Sequence, residues 1–200
     1  MKPQILLLAF TLLLGSCASS YKAINPPGLT YLSKSTDKSV TLEYQYGILP
    51  GKYAKNEVEN DFKLIAIKIT NNSGHDVVLD KDIRLYFGDT TKVLLTDKKL
   101  IYNRLKQQSN FYLLYLALTT VALNLDKGDG TNYFVPIGYV VGPGLAVGNF
   151  LVATTVNHRF KNELNKYYIP PGTIIKNNAT LYGLIGIKTW KYEALTLKVD

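Results

Sequence analysis

Cysteine and tryptophan each occur once in this 200-residue chain, and histidine occurs twice. A single cysteine cannot close an intramolecular disulfide, so no cross-linked framework supports the fold. With only His75 and His158 available, a nucleophile activated by an oriented imidazole is poorly supplied, and both residues read as solvated side chains in polar surroundings. No Gly-x-Ser-x-Gly elbow, His-Glu-x-x-His helix or phosphate loop occurs. No unit recurs at a fixed period, no block of like charge is long enough for a solvated tail, and 15 Gly with 8 Pro is ordinary usage. Repeat, collagen-like and low-complexity classes are thereby excluded, and a 46% hydrophobic content is enough for one core.

The chain opens with one positive charge at Lys2, a nearly continuous apolar run from Ile5 to Leu14, and the small residues Gly15 and Ser16 ahead of Cys17. This is the layout of a signal peptide over residues 1–16. These ten residues span about 15 Å as a helix, half of a ~30 Å hydrocarbon core, too short for a permanent transmembrane anchor. The segment Leu14-Gly15-Ser16-Cys17 resembles the lipobox of bacterial lipoproteins. That resemblance implies cleavage before Cys17, lipid attachment (palmitate among the acyl chains) at Cys17, and a mature protein held at the membrane of the cell envelope. Loss of Lys2 lowers the formal charge from +8 by one, so the mature chain stays basic. The lysines are scattered and no aromatic RNA-binding signature accompanies them, so the charge reads as attraction to anionic headgroups or as plain solubility, not as nucleic-acid binding.

Ala18 to Asp37 is small and polar around Pro26-Pro27-Gly28 and is expected to be a flexible tether over 17–37. Beyond it, Leu42, Tyr44 and Tyr46 alternate with polar residues, the period of a half-buried strand that ends at Leu49-Pro50-Gly51. Phe62 to Thr70 is apolar at nearly every position and reads as a central strand, closed by Asn71-Asn72-Ser73-Gly74. Val77-Val78-Leu79, the turn Asp80-Lys81-Asp82 and the alternating Ile83, Leu85 and Phe87 follow. The pattern resumes at Thr173 to Ile175, Ala179 to Ile187 and Leu195 to Val199. The expected fold is mainly β with an α-helical insertion: one antiparallel β-sandwich domain over 38–200, interrupted at about 97–168. It resembles immunoglobulin-like domains in architecture alone, since their paired Cys and buried strand Trp are missing.

Between Ser109 and Asn157 the charged residues are Asp126, Lys127 and Asp129, gathered in the turn sequence Asp126-Lys127-Gly128-Asp129-Gly130. An apolar helical hairpin follows from that pattern. Its first arm, Phe111 to Leu125, would measure about 22 Å as helix. Its second arm is expected to become a helix with Pro143 at the first helical position after Gly142, running to about Tyr168, apolar at Leu145, Val152, Val156, Phe160 and Leu164 and charged at Lys161, Glu163 and Lys166. Gly138 and Gly142, like Gly144 and Gly148, fall one turn apart, the spacing that lets helix backbones approach, and are candidates for helix packing. Glycine-rich apolar segments of this kind are similar to those of several outer-membrane lipoproteins of Gram-negative bacteria.

Other features read as local structure. Asp80-x-Asp82 and Asp126-x-x-Asp129 lack the spacing of a calcium loop, so no metal and no cofactor are expected. Asn71-Asn72-Ser73 and Asn178-Ala179-Thr180 match a glycosylation sequon that is silent in a bacterial envelope, and Asp89-Thr90-Thr91 is similar to a bacterial O-glycosylation pattern. Trp190 and Tyr192, in a Lys-flanked loop, are the best candidates for stacking on a sugar. The expected function is a non-enzymatic lipoprotein acting through protein or membrane contacts, including self-association through the apolar hairpin. A carbohydrate-binding envelope module is the alternative.

Overall fold

The computed structural model describes residues 17–88, 90–126 and 131–200. The leader at 1–16, Asp89 of the Asp89-Thr90-Thr91 triplet, and residues 127–130 of the expected turn, Asp129 included, lie outside the described residues. Two compact units divide the chain. Tyr21–Lys106 with His158–Asp200 forms a sheet unit, and, among the described residues, 17–20 with Gln107–Asn157 form an apolar unit. The sheet unit is thus interrupted in sequence by the apolar unit between Lys106 and His158.

In chain order, a 3₁₀ turn at Pro26–Gly28 precedes β1 (Ser33–Asp37), β2 (Val40–Gln45), α1 (Gly51–Glu59) and β3 (Phe62–Asn71). Next come β4 (Val77–Val78), β5 (Ile83–Phe87), β6 (Thr91–Lys92) and α2 (Lys98–Leu105). A 3₁₀ helix at Ser109–Thr120, β7 (Leu123–Asp126) and β8 (Asn132–Val135) lead into α3 (Gly138–Tyr167). β9 (Ile174–Ile175), β10 (Ala179–Lys188) and β11 (Leu195–Val199) complete the chain. The architecture is mixed: antiparallel sheets accompanied by helices.

In the sheet unit, one sheet has the order β1-β2-β3-β10 and a second β11-β5-β6, with β4 and β9 paired separately. Alternation in β3 directs Ile65, Ile67 and Ile69 into a core shared with Val40, Leu42 and Tyr44 of β2 and with Ile83, Leu85, Leu195, Leu197 and Val199 of the second sheet. On the other face of β3, Leu64 and Ala66 are also fully buried, on the side where α1 and α2 pack. A strand with both faces covered needs apolar residues at successive positions, which is why Leu64-Ile65-Ala66-Ile67 reads as an unbroken apolar run.

β11 pairs with β5 on one side only, and its remaining N–H groups are satisfied by side chains of the first sheet. Leu195 donates to the Tyr44 hydroxyl at 2.8 Å, Leu197 to Ser35 Oγ at 3.0 Å and Val199 to Asp37 Oδ2 at 2.8 Å. These bonds correct the tether expectation. Tyr21 and Ile24 are already fixed by the Glu163 carboxylate, at 2.5 Å and 2.8 Å, and Ser33–Asp37 is a strand. β1 carries no apolar residue because it lies at a sheet edge and contributes hydroxyl and carboxylate oxygens rather than core. Its hairpin to β2 turns through Lys38 and Ser39, both at positive φ (41° and 66°), without the Asn-Gly pair that announces such a turn.

Two further expectations are corrected. β2 ends at Gln45, before Leu49-Pro50-Gly51, and Pro50-Gly51 instead opens α1, whose buried side chains are Tyr53 and Glu57, a thin apolar pattern that hides the helix. The apolar insertion is not a helical hairpin. Its first arm is 3₁₀ up to Thr120, and Leu123–Asp126 then pairs with Asn132–Val135 as a β-hairpin. Leu123-Asn124-Leu125-Asp126 alternates with period two, and that alternation overrides the length of the apolar run. α3 begins at Gly138, so Pro143 lies inside it instead of at its first position and removes one intrahelical hydrogen bond to the carbonyl of Tyr139. Since left-handed φ costs a non-glycine residue about 1 kcal/mol, replacing Lys38-Ser39 by Asn-Gly should stabilise the sheet unit by roughly that amount in chemical denaturation.

Candidate functional site

The apolar unit places Cys17, the lipid-attachment candidate, in an exposed position. The residues after it are tied down by hydrogen bonds. Ala18 N–H donates to Asn149 Oδ1 at 2.6 Å, and Ser19 exchanges two bonds with the Gln107 side chain at 3.0 Å and 2.8 Å. The Gln107 backbone is itself bracketed by the Asn157 amide at 2.9 Å and 2.8 Å. Amide side chains from α3 thus do here what charged groups would do on an ordinary surface. Burial is the main cause that pushes up the pKa of Tyr112 and of Tyr115 on the 3₁₀ helix, with a smaller contribution from Cys17.

Gly138 and Gly142 are buried where α3 meets the 3₁₀ segment. A Cβ on Gly138 would lie 2.7 Å from the carbonyl oxygens of Thr119 and Val121, and one on Gly142 would lie 2.9 Å from Thr119 N and 3.0 Å from Tyr115 O. Gly138 N–H also donates to Val121 O at 2.9 Å. Gly144 and Gly148 face open space. Of the two small-residue pairs, one serves packing within the unit and the other lies on its outer surface. That surface is apolar: Phe111 is 67% exposed, Leu114 69%, Phe134 71% and Tyr139 71%. Among the described residues, no helix is long and apolar enough to cross a membrane.

In the sheet unit, Trp190 and Tyr192 are both largely exposed. Lys191 Nζ lies 4.3 Å from the Trp190 ring centroid, Lys63 Nζ lies 5.0 Å from that of Tyr192, and Tyr46 meets Tyr192 edge to face at 5.4 Å. One face of each ring is therefore occupied by an ammonium from the same chain. His75 and His158 are exposed, and His158 Nδ1 is 3.3 Å from Asn162 Nδ2. Asp80 pairs with Lys92 at 2.9 Å and Asp82 accepts from Val78 N–H at 2.9 Å, so both carboxylates serve the turn. Asn71 of the first sequon is buried, its amide donating to His75 O and Ile175 O. Among the described residues, no group of three His, Cys, Asp or Glu could hold a metal ion.

Two features were not visible in the sequence. Lys98, Lys99 and Lys161, far apart in the chain, line one groove of about 280 Å³ with Tyr102, Asn103 and Asn165. Only the packing of α2 beside the end of α3 gathers them. The second is Glu57, 1% exposed, whose Oε1 accepts from Leu64 N–H at 2.8 Å while Oε2 has no hydrogen-bond partner. Lys63, equally buried, donates to the Glu57 carbonyl at 2.8 Å. Burial raises the Glu57 carboxyl to about 7, against the smaller opposing effects of the Leu64 N–H and Lys63.

A native pKa of about 7 against an ordinary 4.5 means that the folded state holds a proton the unfolded chain has released. Glu57 therefore costs no stability below pH 4.5, and stability falls as pH rises from about 4.5 to the folded value of about 7 and levels off above it. At about 1.4 kcal/mol per unit, the loss by pH 8 is on the order of 3 kcal/mol. Glu57→Gln, which keeps the acceptor for Leu64, should flatten that part of the dependence of Tm on pH between 4 and 8. In the apolar unit, Gly138→Ala should destabilise by about 1–3 kcal/mol through overpacking. Gly144→Ala should instead stabilise α3 by up to about 1 kcal/mol, and denaturant titration distinguishes the two signs.

Comparison of the chain with protein-family models, with curated proteins and with solved structures finds no match, so the functional reading has to rest on these residues and their geometry.

Proposed function

We propose that this chain is a non-enzymatic lipoprotein of the bacterial envelope, cleaved before Cys17, acylated there and held at the outer membrane. The observation that carries the reading is the position of Cys17: exposed, at the head of the apolar unit, and followed by a segment pinned to α3 and to Gln107. Acyl chains on this residue would leave the protein from its least charged surface. The protein works by contact, through the membrane or a partner at that surface, and the basic mature chain favours anionic surroundings. We further read the two larger sheets as an immunoglobulin-like β-sandwich. The core they share and the side-chain bonds from Tyr44, Ser35 and Asp37 to β11 support that architecture.

Metabolic labelling with a fatty-acid analogue tests the anchor. The full-length protein should take up the label and lose about 16 residues on processing, whereas Cys17→Ala should carry no label and accumulate uncleaved. A Cys17→Ala protein that is still labelled and processed would overturn the reading.

A further inference from the structure

We infer that the apolar unit lies in the interfacial zone of the bilayer, so that lipid covers the 3₁₀ helix and the uncharged half of α3. The inference rests on the lipid-anchored reading above and names the partner of that same surface.

The distribution of exposed side chains around α3 separates lipid from a protein partner. At about 100° per residue, Tyr139, Val147, Leu151, Val141 and Val152 fall at roughly 0, 80, 120, 200 and 220° around the axis. All five are exposed. The buried positions Gly142, Ala146, Ala153 and Val156 cluster within about 80° on the remaining side. A helix that packs on one partner shows a single apolar stripe, whereas one that is apolar nearly all round is surrounded by an apolar medium. A second copy of the chain would cover one stripe and leave the rest in water. The 3₁₀ helix repeats the pattern: Phe111, Leu113, Leu114 and Leu116 are exposed and Tyr112 alone is buried.

Charge and length agree with this placement. Gly138 to Asn157 contains no charged residue, and charge begins at His158-Arg159 and continues through Lys161, Glu163 and Lys166. No described helix is long and apolar enough to cross the bilayer, and the Pro143 and glycine content of α3 suits a surface position better than a span. Tyr133 and Tyr139, an exposed pair of amphipathic rings, are of the type that settles at headgroup level. Cys17 lies on the same unit, so its acyl chains and this surface would enter one leaflet together.

The test uses the acylated protein reconstituted in phosphatidylethanolamine–phosphatidylglycerol vesicles doped with a phospholipid bearing a photoreactive group in its acyl tail. After irradiation, mass spectrometry should find lipid adducts on residues 109–121 and 133–152. In the double variant Leu114→Glu/Leu151→Glu these adducts should fall roughly tenfold, because carboxylates resist transfer into the acyl region. Acyl content and amide-exchange protection of β3 should be unchanged. Adducts confined to residues 17–20, or cross-links joining those segments to a second copy, would overturn the inference and leave the anchor standing. If Cys17 carries no acyl group, the anchor reading fails instead. Vesicles given that unacylated protein then decide the surface alone: adducts on the same segments uphold it, and none reject it.

Discussion

The antiparallel pairing of β3 with β10 is the constraint on which the sheet unit depends. Ten consecutive residues, Phe62 to Asn71, face Lys188 to Ala179. Most of β3 is buried on both faces, so its backbone groups have no access to water and must be satisfied by β2 and β10. The remaining parts follow from that ladder. The second sheet covers one face, and α1 and α2 cover the other. Gly183 and Gly186 of β10 lie where Ile169 and Ile101 press so close that a Cβ would displace them. The far edge of β10 is closed by Leu95 and Thr96 at one end and by Tyr168 and Ile169 at the other. A strand edge left open here would offer a long apolar template to other chains.

How much of this could be read in advance depended on whether a residue reports its own environment. Ile65, Ile67 and Ile69, or Leu195, Leu197 and Val199, announce a buried face by period alone, and β3, β5, β10 and β11 fall where that period places them. β1 was hidden because Ser33-Lys34-Ser35-Thr36-Asp37 contributes oxygens to another strand's N–H groups, a role with no hydrophobic signature. The β7–β8 hairpin was hidden for the opposite reason: its apolar run suggested helix, and four residues of alternation were too few to overrule it. At the candidate site, the sequence pointed to Cys17 and to glycines at packing distance. It could not distinguish Gly138 and Gly142, pressed against carbonyl oxygens, from Gly144 and Gly148, which face outward. Lys98, Lys99 and Lys161 required the tertiary fold to become neighbours at all.

The two units solve the problem of polar groups differently. In the sheet unit, charge is paired at the surface, as in Glu43 with Lys68 at 2.7 Å across β2 and β3, and Arg84 with Asp200 at 2.7 Å. Glu57 and Lys63 are the exception, two ionisable residues taken inside with hydrogen bonds to the backbone, and one of them carries the protonation cost. In the apolar unit, carboxamides hold the chain: Gln107, Asn149 and Asn157 supply the cross-links. Amides carry no net charge to desolvate, so they tolerate an apolar medium far better than ion pairs do.

The bonds from β1 to β11 bring residues 162 positions apart into contact. Loop closure over that distance is entropically unfavourable until the intervening sheets exist, so these contacts form late and the fold has high contact order. A chain synthesised N-terminus first has β1, β2 and β3 early but nothing to occupy the second edge of β3 until β10 (Ala179–Lys188) follows near the end of the chain. Assembly of the sheet unit is therefore an event of completion rather than of gradual accretion.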